Sequence, residues 1–187
     1  LTSQSEEART VEICKKAMNT LAQLIKLPQI SVQIHVTQSI ALLARNEVNH
    51  IFIFDRGLLV VLVDKLKCAT EPRLIEAILA ALTHLAKREH ACSVICNLAL
   101  PIILPLLAMD AIGVLCNTLA LLCALASIES LIDHLIESDI LIHLFHLRDH
   151  SSHPDIRQNA VLCLTMLGYS NSDMNTLHHN IVYELTN

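Results

Sequence analysis

Four apolar segments of the chain end in the same way and at nearly constant intervals. They close at Ala44, Ala86, Ala126 and Gly168, each preceded by Leu, in steps of 42, 40 and 42 residues. Within each segment the mainly apolar positions fall at i, i+4, i+8 and i+11, the spacing of one face of an α-helix. A period near 40 residues predicts stacked helical units, each ending in a long amphipathic helix.

Two further signals predict three helices in each unit. A second apolar segment precedes each of the last three long helices, and it begins after a junction at Gly57, Ala99 or Asp139. Pro72 and Pro154 lie where the first turn of a long helix is expected, and the missing proline N–H costs nothing at that position. The pattern therefore predicts a short, a middle and a long helix in turn.

This unit resembles the armadillo repeat, and the resemblance covers nearly the whole chain. The implied fold class is all-α, a right-handed α-solenoid (superhelix) of about four armadillo-type three-helix repeats forming one domain, 1–187. The expected copies are 6–45, 46–86, 87–126 and 127–168, with 169–187 as a C-terminal cap or partial repeat. HEAT repeats, which have two helices over a similar period, are the nearest alternative.

Composition agrees with a folded, buried array. The 187 residues are 53% apolar and 17% charged, which excludes a disordered chain. Only three Gly are present, far apart at Gly57, Gly113 and Gly168, so a glycine-rich phosphate-binding loop is not expected.

Charge is divided unevenly between the two halves. Residues 1–88 carry 11 Lys or Arg and 8 Asp or Glu, a net charge of +3, whereas 89–187 carry 2 and 10, a net charge of -8. An acidic half argues against nucleic acid as a partner. We expect it to suit a basic protein segment instead.

The cysteines and the first residues indicate where the protein resides. Seven Cys is an odd number, most lie within apolar helical segments, and no disulfide spacing is visible. An intracellular protein, cytoplasmic and/or nuclear, is expected, and because the first residues are polar no signal peptide is expected. Between His90 and Ile128 the only charged side chain is Asp110, but Pro101 and Pro105 interrupt this stretch, so we predict buried repeats rather than a membrane span.

The armadillo resemblance implies that the long third helices line a concave groove that binds segments of partner proteins. Import receptors of this family carry a Trp and, four residues later, an Asn on each long helix. The positions matching the Trp are Gln38, Ala80, Ala120 and Leu162, and those matching the Asn are Leu42, His84, Ala124 and Met166. Because this ladder is absent, an import receptor for basic signals is not expected.

Residues N-terminal to these positions complete the predicted groove. They are His35, Arg73, Asn117 and Asn159. Small apolar side chains in the middle would let a partner helix or strand approach closely, and Asn117 and Asn159 can hydrogen-bond its backbone. Alternatively, the Ala residues serve only the close stacking of the repeats.

Candidate chemistry is sparse. His143, His146 and His150 lie near one helical face and are weak candidates for a metal site, although the helix is expected to break over 148–154, which places His150 and His153 in a loop. Cys92 and Cys96 lack a second matching pair, so we interpret them as buried apolar residues. No catalytic motif is present, and we expect neither an enzyme nor a cofactor.

The sequence therefore predicts a non-enzymatic interaction module, a scaffold or adaptor that binds an extended or helical segment of an intracellular partner. A co-chaperone or transport-receptor type of binding module is the first alternative. The second is a metal-binding regulatory subunit that uses His143, His146 and His150. Further repeats, or a homodimer formed end to end, would cover the apolar ends of the array.

Overall fold

A computed structural model describes residues 2–169, with side chains from residue 11 onward. The expected C-terminal cap, apart from Tyr169, lies outside the described residues. In the described part, ten α-helices and one 3-10 turn are present and no strand occurs. The helices are α1 (Thr2–Leu24), α2 (Ile30–Ala44), α3 (His50–Asp55), α4 (Leu58–Cys68), α5 (Pro72–Leu85), α6 (Glu89–Leu106), α7 (Ile112–Ala126), α8 (Glu129–Ile136), α9 (Ile140–His150) and α10 (Pro154–Met166), with the 3-10 turn at Glu47–Asn49.

The chain forms two compact units, Leu1–Leu85 and Ala86–Asn187. The division falls one residue before the predicted boundary between the second and third copies. In the first unit α2 packs along α5, and in the second α7 packs along α10, so third helices of consecutive copies are direct neighbours within each unit. A single domain over the whole chain stays a prediction.

The junction before the middle helix takes two forms. Gly57 and Asp139 have φ angles of 62° and 63°, and each left-handed residue separates two helices as predicted. The expectation is wrong at Ala99, because α6 runs through it without a break. Alanine has the highest helix propensity, and its Cβ disfavours the left-handed conformation, so the third copy continues as one helix.

The first copy likewise begins with one unbroken helix, α1. Separate first and middle helices are therefore found in the second and fourth copies. Pro72 and Pro154 are the first residues of α5 and α10, which confirms the start signals of those two long helices.

The predicted core face is confirmed on every long helix. Of the sixteen repeat positions at i, i+4, i+8 and i+11, all but Val32 and Leu43 are buried. The one polar side chain among them, Thr118, donates its hydroxyl hydrogen to the Val114 carbonyl oxygen at 2.7 Å, so its burial leaves no donor unpaired. Burial of this stripe is what drives the long helices together.

Side chains of the following copy satisfy two of the helix ends. His50 Nε2 donates to the Ala44 carbonyl oxygen at 2.7 Å, and the Cys92 thiol donates to the Ala86 carbonyl oxygen at 2.8 Å. Both donors lie six residues after the residue that closes the copy. Because the last carbonyls of a helix lack partners within it, these contacts stabilise the turn into the next copy.

One described helix, Glu89–Leu106, is long and apolar enough to cross a membrane, and 44% of that stretch is buried inside the structure. Its buried residues include Cys92, Ile95, Ala99 and Ile103, which recur at helical spacing. A core helix of a repeat unit has the same length and composition, and burial on one side is what such a helix requires.

Candidate functional site

In the first unit, the predicted groove residues lie on the adjacent helices α2 and α5. We call them the α2/α5 face: His35, Gln38, Leu42, Arg73, Ala80 and His84. None of these side chains is buried, and Leu42 keeps 64% of its surface accessible. His35 Nδ1 lies 2.6 Å from the Ser31 carbonyl oxygen, one turn earlier.

Arg73 departs from the repeat pattern of this face. His35, Asn117 and Asn159 each lie nine residues before the end of their copy, whereas Arg73 lies thirteen before Ala86. The residue nine before Ala86 is Ala77, which is buried. Arg73 is exposed at the start of α5, one helical turn beyond the position that the other three residues share.

In the second unit, the corresponding residues lie on the adjacent helices α7 and α10. We call them the α7/α10 face: Asn117, Ala120, Ala124, Asn159, Leu162 and Met166. Ala120 and Leu162 are exposed, and the other four are half-buried. No residue of this face carries a charge, so it offers small and apolar contacts, with an asparagine amide one turn before the exposed residue of each helix.

The amide of Asn117 is partly occupied. Its Nδ2 donates to the Gly113 carbonyl oxygen at 2.8 Å within α7, which leaves a second N–H and the Oδ1 acceptor. The Asn117 side chain therefore keeps a donor and an acceptor for another group.

The histidine segment forms a different feature of the second unit. His150 is the last residue of α9, so the expected loop placement is wrong for this residue, because the helix persists two residues beyond Arg148. The rings of His146 and His150 stack with centroids 4.8 Å apart. His143, His146, His150 and His153 line a cleft of about 520 Å³ together with apolar side chains of α7 and α9.

This cleft does not assemble a metal site. Among residues 11–169, no group of three His, Cys, Asp or Glu side chains converges closely enough to hold a metal ion. Three imidazoles near one helical face are therefore not sufficient for a metal site, and two of them, His146 and His150, stack on each other.

Cys92 and Cys96 are fully buried in α6, which confirms their interpretation as apolar core residues. Burial raises the pKa of both thiols; at Cys92 it outweighs an opposing backbone hydrogen bond, and at Cys96 the neighbouring Cys92 adds to it. A thiol that resists ionisation is a poor nucleophile, so these two cysteines are suited to packing.

Two further cysteines lie on the third helices of the second unit. Cys123 on α7 is half-buried, and Cys163 on α10 is fully buried. They stand three residues before the end of one copy and five before the end of the next.

Solved structures identify the architecture. A designed armadillo repeat protein superimposes with a TM-score of 0.74 and 22% identity, covering 85% of this chain and 68% of that protein. Another, in complex with the peptide (KR)4, gives a TM-score of 0.73 at 22% identity, covering 83% of this chain and 66% of that protein. The predicted all-α armadillo-type solenoid fold is thereby confirmed.

A third structure, of computationally designed armadillo repeat proteins for modular peptide recognition, gives a TM-score of 0.72 at 22% identity, with 86% of this chain and 68% of that chain covered. This chain thus spans about two thirds of the length of these proteins. No family model and no curated protein sequence matches the chain. The similarity of this chain to the designed armadillo repeat proteins is therefore one of fold.

Proposed function

We propose that this protein is a non-enzymatic interaction module that binds a peptide or helix of another intracellular protein along its third helices. The observation that carries the proposal is the α7/α10 face, where Ala120 and Leu162 are exposed on adjacent helices and Asn117 and Asn159 lie one turn before them. The designed armadillo proteins with this fold include one in complex with a peptide and others made for peptide recognition, which supports the same use here.

The chemistry of the α7/α10 face favours an uncharged, apolar segment. Its six residues carry no charge, and α7 contains no Asp or Glu. The acidic residues of the described second unit belong instead to α6, α8, α9, the first turn of α10 and the loops. A basic segment would therefore lack acidic partners on this face, whereas a segment with small or apolar side chains could approach closely and hydrogen-bond the two amides.

Selection from displayed random peptides tests this proposal without knowledge of the partner. The protein is immobilised and bound peptides are sequenced. They are then assayed against Ala120→Arg and Ala17→Arg. Both substitutions place the same side chain at an exposed alanine of a helix, but only Ala120 lies on the α7/α10 face. We expect uncharged, apolar peptides that lose at least tenfold in affinity for Ala120→Arg, about 1.4 kcal/mol, and none for Ala17→Arg.

Melting curves of both variants accompany the assay, because an exposed substitution should change stability by less than about 0.5 kcal/mol. Peptides that bind all three proteins equally would place recognition elsewhere. Selection of strongly basic peptides would overturn the proposed chemistry of the segment.

A further inference from the structure

The cleft lined by His143, His146, His150 and His153, called here the histidine cleft, lies entirely within the second unit. Its lining comes from α9 and the loop that follows it, from the connection between α6 and α7, and from the first turns of α7 and α10. None of the six residues of the α7/α10 face lines it. With a volume of about 520 Å³, the cleft has the size of those that hold small molecules.

The character of the lining changes along α9. Ile142, His146 and His150 recur every four residues, so they share one face of the helix. Ile142 lies in the first turn and is exposed, as is Ile112 on the α7 side of the cleft. The stacked rings of His146 and His150 lie in the second half of α9, and a rise of 1.5 Å per residue separates Ile142 from His150 by about 12 Å. The cleft therefore combines accessible apolar side chains with a polar end.

The hydrogen bond of His150 decides which of its nitrogens can contact a ligand. Its Nδ1 lies 3.3 Å from the carbonyl oxygen of His146. Because a carbonyl oxygen only accepts, Nδ1 carries a hydrogen, and Nε2 remains for another group. Without a second proton Nε2 is an acceptor, and with one it is a donor. A carboxylate, which only accepts, therefore requires the protonated ring.

Fixed positive charge is absent from the described residues that line the cleft, where Asp110 is the one carboxylate. The nearest guanidinium groups are engaged elsewhere: Arg148 donates to both carboxylate oxygens of Asp149 at 2.6 and 2.8 Å, and Arg157 donates to the Ser151 carbonyl oxygen at 2.7 Å. Imidazole is the side chain that gains a positive charge between about pH 8 and pH 5. Positive charge in this lining therefore arises from the histidines as the pH falls.

Other charged or titratable groups of the elements around α9 lie outside the lining of the cleft. They are Glu129, Asp133 and His134 on α8, Asp155 and Arg157 on α10, and the cysteines of α7 and α10. Asp110 is thus the group that most directly opposes an anion in the cleft.

We propose that the histidine cleft binds a small carboxylic acid with an apolar chain, with its carboxylate at His146 and His150 and its chain against Ile142 and Ile112. Protonation brings two like charges together on stacked rings whose centroids are 4.8 Å apart. A carboxylate at these rings offsets their repulsion, so proton binding and ligand binding favour each other. The inference extends beyond peptide binding and does not depend on it.

A titration of the full-length protein with octanoate tests the proposal. Octanoate is ionised at both pH 6 and pH 8, and histidine ring signals in NMR spectra report on the site. We expect the signals of His146 and His150 to shift, with an affinity at least about fivefold higher at pH 6 than at pH 8. Octanol, which has the chain without the charge, should bind more weakly at pH 6 and show no such pH dependence. Octanol and octanoate binding equally, or octanoate leaving both signals unchanged, would overturn the proposal.

Substitutions of the polar end test the role of the two rings. His146→Gln/His150→Gln should abolish the pH dependence of octanoate binding, measured by calorimetry. The matched variant His134→Gln replaces an exposed histidine outside the lining and should keep it. Asp110→Asn should strengthen octanoate binding severalfold, because it removes the opposing carboxylate. An unchanged pH dependence in the double variant would show that other groups bind the carboxylate.

The apolar end is tested separately. Ile142→Ala should weaken octanoate binding severalfold at both pH values, because it removes apolar surface without changing charge. Val60→Ala shortens an exposed side chain of the first unit and should have no effect. Equal binding by Ile142→Ala and the parent would contradict the proposed position of the chain. All the substituted residues of the cleft are exposed, so melting curves should stay within a few degrees of the parent. If a variant fails to fold, the comparison of octanoate with octanol on the parent protein decides.

Discussion

At the residue scale, three residues at the same junction of their copies show that the backbone angle φ decides whether a helix ends there. Gly57 and Asp139 are left-handed and end a helix, while Ala99 continues α6. A Cβ added at Gly57 would meet no atom within 4 Å, so any penalty there comes from the backbone alone. Asp139 already carries that penalty, because non-glycine residues favour right-handed angles.

Substitutions to and from glycine at these three residues should therefore change stability in different directions. Gly57→Ala should lower the free energy of unfolding by about 1 kcal/mol, because alanine must adopt a positive φ. Asp139→Gly should raise it by up to about 1 kcal/mol through relief of the same strain. Ala99→Gly should lower it by about 1 kcal/mol, because glycine weakens a helix interior.

Urea unfolding followed by circular dichroism measures all three variants. Each serves as a control for the others, since a general intolerance of change would lower stability in every case. A destabilised Asp139→Gly would mean that the aspartate side chain contributes more at this junction than its backbone strain costs.

At the element scale, α6 is the helix that contains two prolines. Pro101 and Pro105 lie inside it, whereas Pro154 is the first residue of α10. An interior proline removes the hydrogen bond to the carbonyl four residues earlier, which for Pro101 is that of Asn97. The same residue at a helix start removes a donor that has no partner in any case.

Replacing Pro101 and Pro154 with alanine should have opposite effects on the free energy of unfolding. Pro101→Ala restores the bond to Asn97 and should raise the free energy of unfolding by about 1 to 2 kcal/mol. Pro154→Ala gains no hydrogen bond and makes the unfolded chain more flexible, so it should lower stability by about 0.5 kcal/mol. Thermal unfolding of Pro101→Ala and Pro154→Ala measures the difference in stability. Both prolines are exposed. A stabilising effect of Pro154→Ala would contradict its role as a start signal.

Much of this element pattern was predictable from the sequence, because the buried stripe of each long helix depends on spacing alone. The continuous helices α1 and α6 were not predictable in the same way. Whether α1 and α6 are continuous depends on whether a short connection interrupts the helix. Where no glycine such as Gly57 favours a break, the helix propensity of the local residues determines the outcome. In the candidate site, Arg73 lies one turn away from the position that His35, Asn117 and Asn159 share, because the residue in register, Ala77, is buried.

At the scale of the whole molecule, the question is whether the two compact units unfold together. In stacked repeats, each copy is stabilised by contacts with its neighbours, and fewer than about three copies are rarely stable alone. The units Leu1–Leu85 and Ala86–Asn187 contain about two copies each. If the chain is a single domain, a substitution that unfolds one unit should therefore also unfold the other.

Leu122→Asp tests this coupling, because Leu122 is fully buried in α7 and an unpaired buried carboxylate should cost more than about 4 kcal/mol. Hydrogen exchange of peptides from α2 and α5 then reports on the other unit. We expect their protection to fall together with that of α7 and α10. The control Ala120→Asp places the same charge at an exposed residue of α7 and should leave exchange unchanged. Retained protection of α2 and α5 in Leu122→Asp would instead mean that the first unit is stable by itself, and the chain would then consist of two domains.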